Sequence, residues 1–198
     1  IRMSSLMHLP VIYIFTHDSV GLGEDGPTHQ SVEQLSSLRL IPKMNVWRPA
    51  DLHETAIAWK SALDQDSLPT SIVLSRQGLP QIERSTNQKL LAQKGGYVVH
   101  DSKNKAQAII ISSGSELNIC INAAKKLKDE NIHVRVVSMP CMELFLSQPK
   151  SYRQKVLPDI DNVLAVEAGV GDCWDKFVGK QGAKVVMSSF GLSAPGGE

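Results

Sequence analysis

The residues best suited to chemistry are concentrated in one loop, FTHDSVGLGEDGPTHQ, at positions 15–30. The loop contains two histidines, three acidic residues and three glycines. His17, Asp25 and His29 follow one another at spacings of eight and four residues. Imidazole and carboxylate groups bind polar ligands and move protons, and glycine lets a ligand approach the backbone closely. This loop is therefore the first candidate for a binding or catalytic site.

Several kinds of site are compatible with these residue types. GLGEDG at 21–26 has the G-x-G-x-x-G spacing of nucleotide loops, but its acidic residues would repel a diphosphate, so we reject that interpretation. The spacing of His17, Asp25 and His29 matches no common zinc pattern, and we assign no metal ligands. A structural role stays open, in which Asp25 or Thr28 caps the next helix and the histidines are surface residues.

The loop lies between a predicted strand, VIYIF at 11–15, and a predicted helix at 29–41. Asp51 followed by Glu54 three residues later is typical of a capping box. SGSE at 113–116 is expected to cap a helix rather than to bind an anion. Further strands are predicted at 44–48, 70–75, 107–112, 133–139, 162–168 and 184–189, and further helices at 51–65, 115–130 and 173–179.

Apolar strands that alternate with helices predict an α/β fold with mostly parallel sheets flanked by helices. Residues 78–96 are polar, with proline and glycine near the two ends, and are typical of a connection between domains. We therefore predict two domains, at residues 1–80 and 97–198, joined by a linker at 81–96. In such sheets ligands bind beyond the carboxyl ends of the strands, which is where the loop lies.

Composition excludes several classes of function. With a net charge of +1 and no long basic run, the 198-residue chain shows no pattern typical of nucleic-acid binding. Its apolar runs are much shorter than the roughly 20 residues that span a membrane. Cys120, Cys141 and Cys173 form no CxxC pair, so we predict reduced thiols and a cytoplasmic location. The chain begins IRMSSL and ends SAPGGE, and we expect it to be part of a longer polypeptide.

The longest motif, FTHDSVGLGEDGPTHQSVEQL at 15–35, closely resembles a signature of the transketolase family. Shorter stretches that resemble the same family follow in order along the chain: WRPAD (47–51), LSRQGLP (74–80), KGGYV (94–98), SGSE (113–116), VRVVSMP (134–140), VEAG (166–169) and FGLSAP (190–195). The resemblance implies the rear part of a thiamine-diphosphate-fold pyrimidine domain, followed by a truncated Rossmann-like C-terminal domain. It also implies transfer of a two-carbon ketol unit from a ketose phosphate to an aldose phosphate.

The resemblance assigns roles to four residues. His17 and Arg76 would bind the terminal phosphate of the sugar. Asp25 would bind the hydroxyl next to the reacting carbonyl and so select stereochemistry. His29, in the first turn of the predicted helix, would lie near the reacting carbons and stabilise charge on the carbonyl oxygen or transfer a proton. For Arg76, a surface ion pair is the alternative.

The implied reaction depends on thiamine diphosphate with Mg²⁺ or Ca²⁺, and the carbanion chemistry belongs to that cofactor. The family's activating glutamate, its pyrimidine-stacking aromatic residues and its Gly-Asp-Gly motif match nothing in this chain, so we assign it no cofactor-binding residues. The expected partners are sugar phosphates and a second subunit, since the family's active sites lie between the subunits of a homodimer. We therefore expect the isolated chain to be inactive.

Other functions stay open beside this one. Deoxyxylulose-phosphate synthases and the β chains of oxoacid dehydrogenases share the two-domain organisation, although Asp25 and Arg76 fit sugar-phosphate ketol transfer better. A non-catalytic interaction module is a further alternative, against which the retained phosphate and hydroxyl ligands argue.

Overall fold

The computed structural model describes residues 1–102 and 104–194. Two sheets organise the chain, and the first is built from residues 2–74. Its elements are α1 (Arg2–Leu6), β1 (Ile12–Thr16), α2 (Gln34–Arg39), β2 (Asn45–Trp47), α3 (Leu52–Leu63) and β3 (Thr70–Leu74). The three strands are parallel, and β3 lies between β1 and β2.

The second sheet has five strands. Its elements, with the helix that precedes them, are α4 (Thr86–Leu91), β4 (Tyr97–His100), β5 (Ala108–Ser112), α5 (Glu116–Asp129), β6 (Val134–Ser138), α6 (Met142–Leu146), α7 (Lys150–Val156), β7 (Val163–Val166), α8 (Asp175–Val178) and β8 (Ala183–Val185). The order is β4–β6–β5–β7–β8, with only β4 antiparallel. The predicted α/β class with mostly parallel sheets is confirmed. In the described part of the chain, every helix is too short or too polar to cross a membrane.

The β5 strand explains why the strands of this sequence are continuously apolar. Ile109 and Ile111 pack in one buried cluster with Phe145 of α6, whereas Ile110 packs in another cluster with Leu117 of α5. Both faces of the sheet are therefore covered, as is usual for parallel sheets.

The helix predicted at 29–41 is much shorter in the structure, and α2 begins only at Gln34. Backbone groups that would form hydrogen bonds inside a longer helix are instead bonded to distant residues. The Val32 carbonyl accepts the N–H of Val170 from the second domain (3.0 Å). The predicted linker also differs from an extended connection, because it contains α4, and the strand β4 directly after it is absent from the prediction.

The start of α3 confirms Asp51 as the N-cap, since its side chain accepts the Glu54 N–H (3.1 Å). The reciprocal half of the capping box is wrong. The Glu54 carboxylate accepts the N–H of Ala50 (2.8 Å), one residue before the N-cap.

The carboxyl ends of strands from both sheets meet where the domains join. The Arg48 N–H, directly after β2, donates to the Pro140 carbonyl after β6 (2.8 Å). The Gly114 N–H, just beyond β5, donates to the Arg48 carbonyl (3.1 Å). The edge of the first sheet that carries the candidate loop is thus in direct contact with the second domain.

Replacement of Gly95 by alanine is expected to destabilise the chain strongly. Gly95 has φ +82°, and a Cβ atom there would collide with the Cys141 carbonyl and lie 2.7 Å from the Phe145 nitrogen. Backbone strain and overpacking together predict a loss of about 2–4 kcal/mol in the free energy of unfolding, measured by urea denaturation. Gly78→Ala is the control, because no described residue other than its chain neighbours lies within 4 Å of its Cβ position. Equal losses in the two variants would contradict the close approach at Gly95.

Candidate functional site

His17 lies at the carboxyl end of β1, and the residue is half-buried. Its φ angle is 68°, in the left-handed region that non-glycine residues seldom adopt. The Asp18 N–H donates to the Leu74 carbonyl of β3 (3.2 Å), and the Ser31 hydroxyl donates to the His17 carbonyl (2.8 Å). The backbone of His17 is therefore held on both sides.

Arg76 follows β3 and leaves the sheet at the same edge as the loop. Thr16 pairs with Leu74 at the ends of the two parallel strands. The segments stay in contact beyond that edge, because a Cβ atom at Gly21 would collide with the Gln77 side chain. The Arg76 side chain is exposed, and the alternative of a surface ion pair is not observed within residues 1–102 and 104–194.

Asp25 and His29 lie farther along the loop, and both side chains are exposed. Gly23 and Gly26 beside them have φ angles of 94° and 83°, which glycine adopts readily. The His29 N–H donates to the Gly26 carbonyl (3.1 Å), and its Nδ1 lies 2.9 Å from Thr28 Oγ1. The four expected ligands therefore belong to two segments that leave one edge of the first sheet.

The capping role considered for this loop is not observed. The N-cap of α2 is Glu33, which forms no side-chain cap bond, so neither Asp25 nor Thr28 caps the helix. The placement of His29 in the first helical turn is also wrong, because α2 begins at Gln34.

The second domain holds the far side of the loop. The Gln30 Nε2 group donates to the Gly23 carbonyl and to the Leu192 carbonyl, the latter at 3.0 Å. The Ser193 hydroxyl donates to the Glu24 carbonyl (3.0 Å). The segment that carries FGLSAP therefore fixes the glycine-rich part of the loop, up to the limit of the described residues at 194.

A cavity of about 330 Å³ opens beside His17. Its walls are mainly apolar and carry several polar groups, as is common in small-molecule sites. Within the described ranges, no group of three His, Cys, Asp or Glu side chains could hold a metal. These residues therefore supply no ligand set for the metal of the implied cofactor. The residues that line it are Ile1, Phe15, Thr16, His17, Asp18, Ser31, Gln34, Leu35, Ser37, Leu38, Ile41 and Val73.

A buried ion network at Arg48 joins the loop to the second domain. Arg48 Nε donates to Asp18 (2.8 Å), and Nη1 donates to the Ser113 carbonyl (2.9 Å) and to the Glu116 carboxylate. Nη2 donates to Ser115 Oγ (3.2 Å). Burial alone would lower the pKa of this guanidinium, but the Glu116 and Asp18 carboxylates outweigh burial and raise it. Arg48 is therefore a permanent cation between the domains.

The SGSE turn encloses this cation. Ser115 stands at the N-cap of α5 but forms no side-chain cap bond, so the expected capping role is wrong. Gly114 has φ +60°, and a Cβ atom there would lie 2.7 Å from the guanidinium carbon of Arg48. The turn is built around an arginine.

A second buried arginine, Arg39 of α2, pairs with Glu167 after β7. The two side chains form two bonds, at 2.7 and 3.1 Å. The Ser113 hydroxyl (2.7 Å) and the Trp174 indole (2.8 Å) also donate to Glu167. Burial alone would raise the pKa of Glu167, but Arg39 and Arg48 hold it below its usual value.

A separate buried cluster surrounds Glu54. Its Oε1 accepts from the Tyr97 hydroxyl (2.6 Å), the Ser138 hydroxyl (2.6 Å) and Arg84 (3.2 Å). Arg84 also pairs with Asp51. All of these groups except Ser138 lie in or beside the segment at 81–96 and the start of α3, so this cluster anchors the linker.

Sequence reasoning gave no role to Arg39, Arg48 or Glu167. To Asp51, Glu54 and the SGSE turn it assigned only helix capping. A usable signal was present, because Arg48 directly follows the buried run NVW and Glu167 directly follows VLAV. A charge at the end of a buried strand needs a partner, since an unpaired buried charge is very costly. The partners lie far away in the sequence and could not be assigned.

The fold and the loop define a two-domain α/β protein whose candidate site lies at a carboxyl sheet edge and is held in place by its second domain. A family model for the transketolase pyrimidine-binding domain matches residues 1–81, and a model for the transketolase-like C-terminal domain matches residues 95–198. The chain belongs to the transketolase family.

Similar proteins support the same assignment. The chain is 52% identical over 196 residues to a transketolase of Buchnera aphidicola and 50% identical over 195 residues to transketolase 2 of Escherichia coli. A transketolase structure from Leishmania mexicana superposes with a TM-score of 0.90 at 47% identity, covering 99% of this chain and 28% of that one. Both alignments include 98% of this chain. The chain spans only about 30% of the length of these two relatives.

Proposed function

We propose that this chain supplies the sugar-phosphate-binding part of a transketolase, which transfers a two-carbon ketol unit between sugar phosphates. The observation that carries the proposal is the Thr16–Leu74 register, which brings the segments of His17 and Arg76 to one sheet edge. Transketolases of Pichia stipitis, 40% identical to this chain, were solved with sedoheptulose-7-phosphate, fructose-6-phosphate and xylulose-5-phosphate.

In this proposal the exposed guanidinium of Arg76 and the imidazole of His17 bind the terminal phosphate. Asp25 accepts a hydrogen bond from the hydroxyl next to the carbonyl, so a sugar without that hydroxyl leaves the carboxylate unpaired. His29 presents a ring nitrogen that can donate to the carbonyl oxygen or move a proton. The glycines between them let the sugar approach the backbone.

The remaining parts of the site belong to the holoenzyme. Thiamine diphosphate, bound with Mg²⁺ or Ca²⁺, supplies the carbanion chemistry when present. We further propose a homodimer with the active site between subunits, and the domain division 1–80, 81–96 and 97–198. The free thiols of Cys120, Cys141 and Cys173 support a cytoplasmic location.

The proposal is tested in the full-length polypeptide that carries this sequence. Arg76→Ala is expected to lower kcat/KM for ribose 5-phosphate by about 10- to 150-fold, the effect of losing one charge-assisted bond. Unphosphorylated glycolaldehyde as acceptor should be affected far less, because it makes no phosphate contact. Steady-state kinetics with both acceptors give the comparison.

Lys60→Ala is the matched control, because Lys60 is an exposed cation whose partner among the described residues is Asp64. Equal losses for both acceptors in Arg76→Ala would contradict a phosphate role for that residue. Pyruvate as donor distinguishes a deoxyxylulose-phosphate synthase, which would consume it. The isolated chain, given xylulose 5-phosphate, ribose 5-phosphate, thiamine diphosphate and Mg²⁺, is expected to form no triose phosphate.

A further inference from the structure

The conformation of His17 requires support from its neighbours. A left-handed φ of 68° costs a non-glycine residue free energy that surrounding contacts must offset. The next residue provides the strongest contact, because Asp18 is buried and its carboxylate accepts from Arg48 Nε (2.8 Å). Ser19 Oγ donates to the other oxygen of Asp18 (3.1 Å). The position of His17 therefore depends on the position of the Arg48 guanidinium.

The second domain determines where that guanidinium lies. Its Nη1 group donates to the Ser113 carbonyl and to Glu116, and its Nη2 group donates to Ser115 Oγ. The Gly114 backbone passes so close that a side chain there would collide with the arginine. These contacts leave the Arg48 side chain fully buried.

The Arg48 side chain lies at the edge of the second sheet where an α/β domain commonly binds a ligand. In an open α/β sheet, ligands bind beyond the carboxyl ends of the strands. Beyond β5 and β7 that space is filled by Arg48 and Arg39 of the first domain. The carboxyl edge of the second sheet therefore contacts two arginines of the first domain.

We propose that Arg48 is a positioning residue, through which the second domain holds Asp18 and thereby sets the His17 imidazole for phosphate binding. The inference rests on the proposed function, because it assigns His17 to the phosphate. It predicts that a disturbed Arg48 weakens the recognition of phosphorylated sugars more than the ketol transfer itself.

Arg84 offers a matched control for a test by substitution. Arg48 and Arg84 are both arginines with fully buried side chains. Arg84 pairs with two carboxylates, and Arg48 pairs with Asp18 and Glu116 and lies 3.7 Å from a third, Glu167. Lysine keeps the charge but loses the planar fork that reaches several acceptors. Arg48→Lys and Arg84→Lys should therefore destabilise similarly, while only Arg48→Lys disturbs the neighbour of His17.

In the full-length polypeptide, Arg48→Lys is expected to raise KM for ribose 5-phosphate about tenfold, the effect of weakening one charge-assisted bond. The kcat/KM for glycolaldehyde should change much less. Arg84→Lys should leave the ratio of the two kcat/KM values near that of the unchanged protein. A ratio that stays constant in Arg48→Lys, or that falls equally in Arg84→Lys, would overturn the positioning role.

Amide hydrogen exchange on the full-length polypeptide gives a second readout that needs no activity. The Asp18 amide donates to Leu74, and in Arg48→Lys it should exchange at least about tenfold faster, the consequence of a weakened Asp18 contact. Asp18→Asn, which keeps the side-chain shape, should act in the same direction and serves if Arg48→Lys fails to fold. Similar exchange of this amide in Arg84→Lys would refute the inference.

The two proposals fail in different ways. If the unchanged full-length polypeptide shows no ketol transfer, the proposed function is wrong, and the exchange experiment still decides whether Arg48 holds this segment. If the polypeptide is active but the two lysine variants behave alike, the function stands and the positioning role is wrong.

Discussion

Arg39→Met is expected to lower the free energy of unfolding by about 3–5 kcal/mol, the usual effect of removing one partner of a buried ion pair. Methionine fills much of the same volume. The loss therefore comes mainly from the Glu167 carboxylate, which stays buried without the cation that donates two hydrogen bonds to it. Urea denaturation at pH 7, followed by circular dichroism, measures the change.

The pH dependence gives the same prediction a second check. Arg39 and Arg48 lower the pKa of Glu167 in the folded chain, against the effect of burial. Because the folded pKa lies below the unfolded one, this group stabilises the fold fully above its ordinary pKa of 4.5. That stabilisation is lost as the pH falls below 4.5 through the lowered pKa. Arg39→Met should show a smaller loss over this range than the unchanged chain.

Two comparisons make the result specific. Lys60→Met breaks an exposed pair, at 64% and 63% side-chain exposure, and should cost less than about 1 kcal/mol. Adding Glu167→Gln to Arg39→Met should recover part of the stability, because it removes a buried carboxylate that has lost its nearer cation and whose other cation, Arg48, lies 3.7 Å away. A double variant less stable than Arg39→Met alone would show that the buried charge is not the cause.

The elements that position the loop could be predicted because local patterns determine them. The apolar run at 11–15 and the Asp51 cap correspond to β1 and to the start of α3. The start of α2 could not be predicted from the same kind of pattern. Ser31 and Val32 use their polar groups to contact His17 and Val170, which local propensity does not register.

In the candidate site, too, some features could be predicted from the sequence and others could not. The resemblance predicted which side chains face the sugar, and the roles of these four residues stay predictions. The support behind them was not predictable, because its contacts are long-range: Asp18 reaches Arg48, which reaches Glu116, 68 residues farther along the chain. Hydrophobic periodicity carries no information about such pairs. A sequence pattern can therefore identify the binding loop while the parts that hold it stay hidden.

Glu54→Gln is expected to lower the free energy of unfolding by about 3–5 kcal/mol, although it changes a single oxygen into an NH₂ group. Glu54 accepts from four donors: Tyr97, Ser138 and Arg84 at one oxygen and the Ala50 N–H at the other. Either orientation of a glutamine amide therefore places a donor against a donor in a fully buried position. The substitution also removes one of the two carboxylates that pair with Arg84.

Chemical denaturation of Glu54→Gln beside Asp64→Asn decides this point, because Asp64 pairs with Lys60 at 63% exposure. The Asp64 variant should lose less than about 1 kcal/mol. Tyr97→Phe removes one of the competing donors, so the double variant Glu54→Gln/Tyr97→Phe should lose less than the sum of the two single losses. If the loss in the double variant equalled the sum of the two single losses, the Glu54 and Tyr97 side chains would not interact. Since this cluster ties α3, the linker and β4 together, its loss should also reduce the cooperativity with which the two domains unfold.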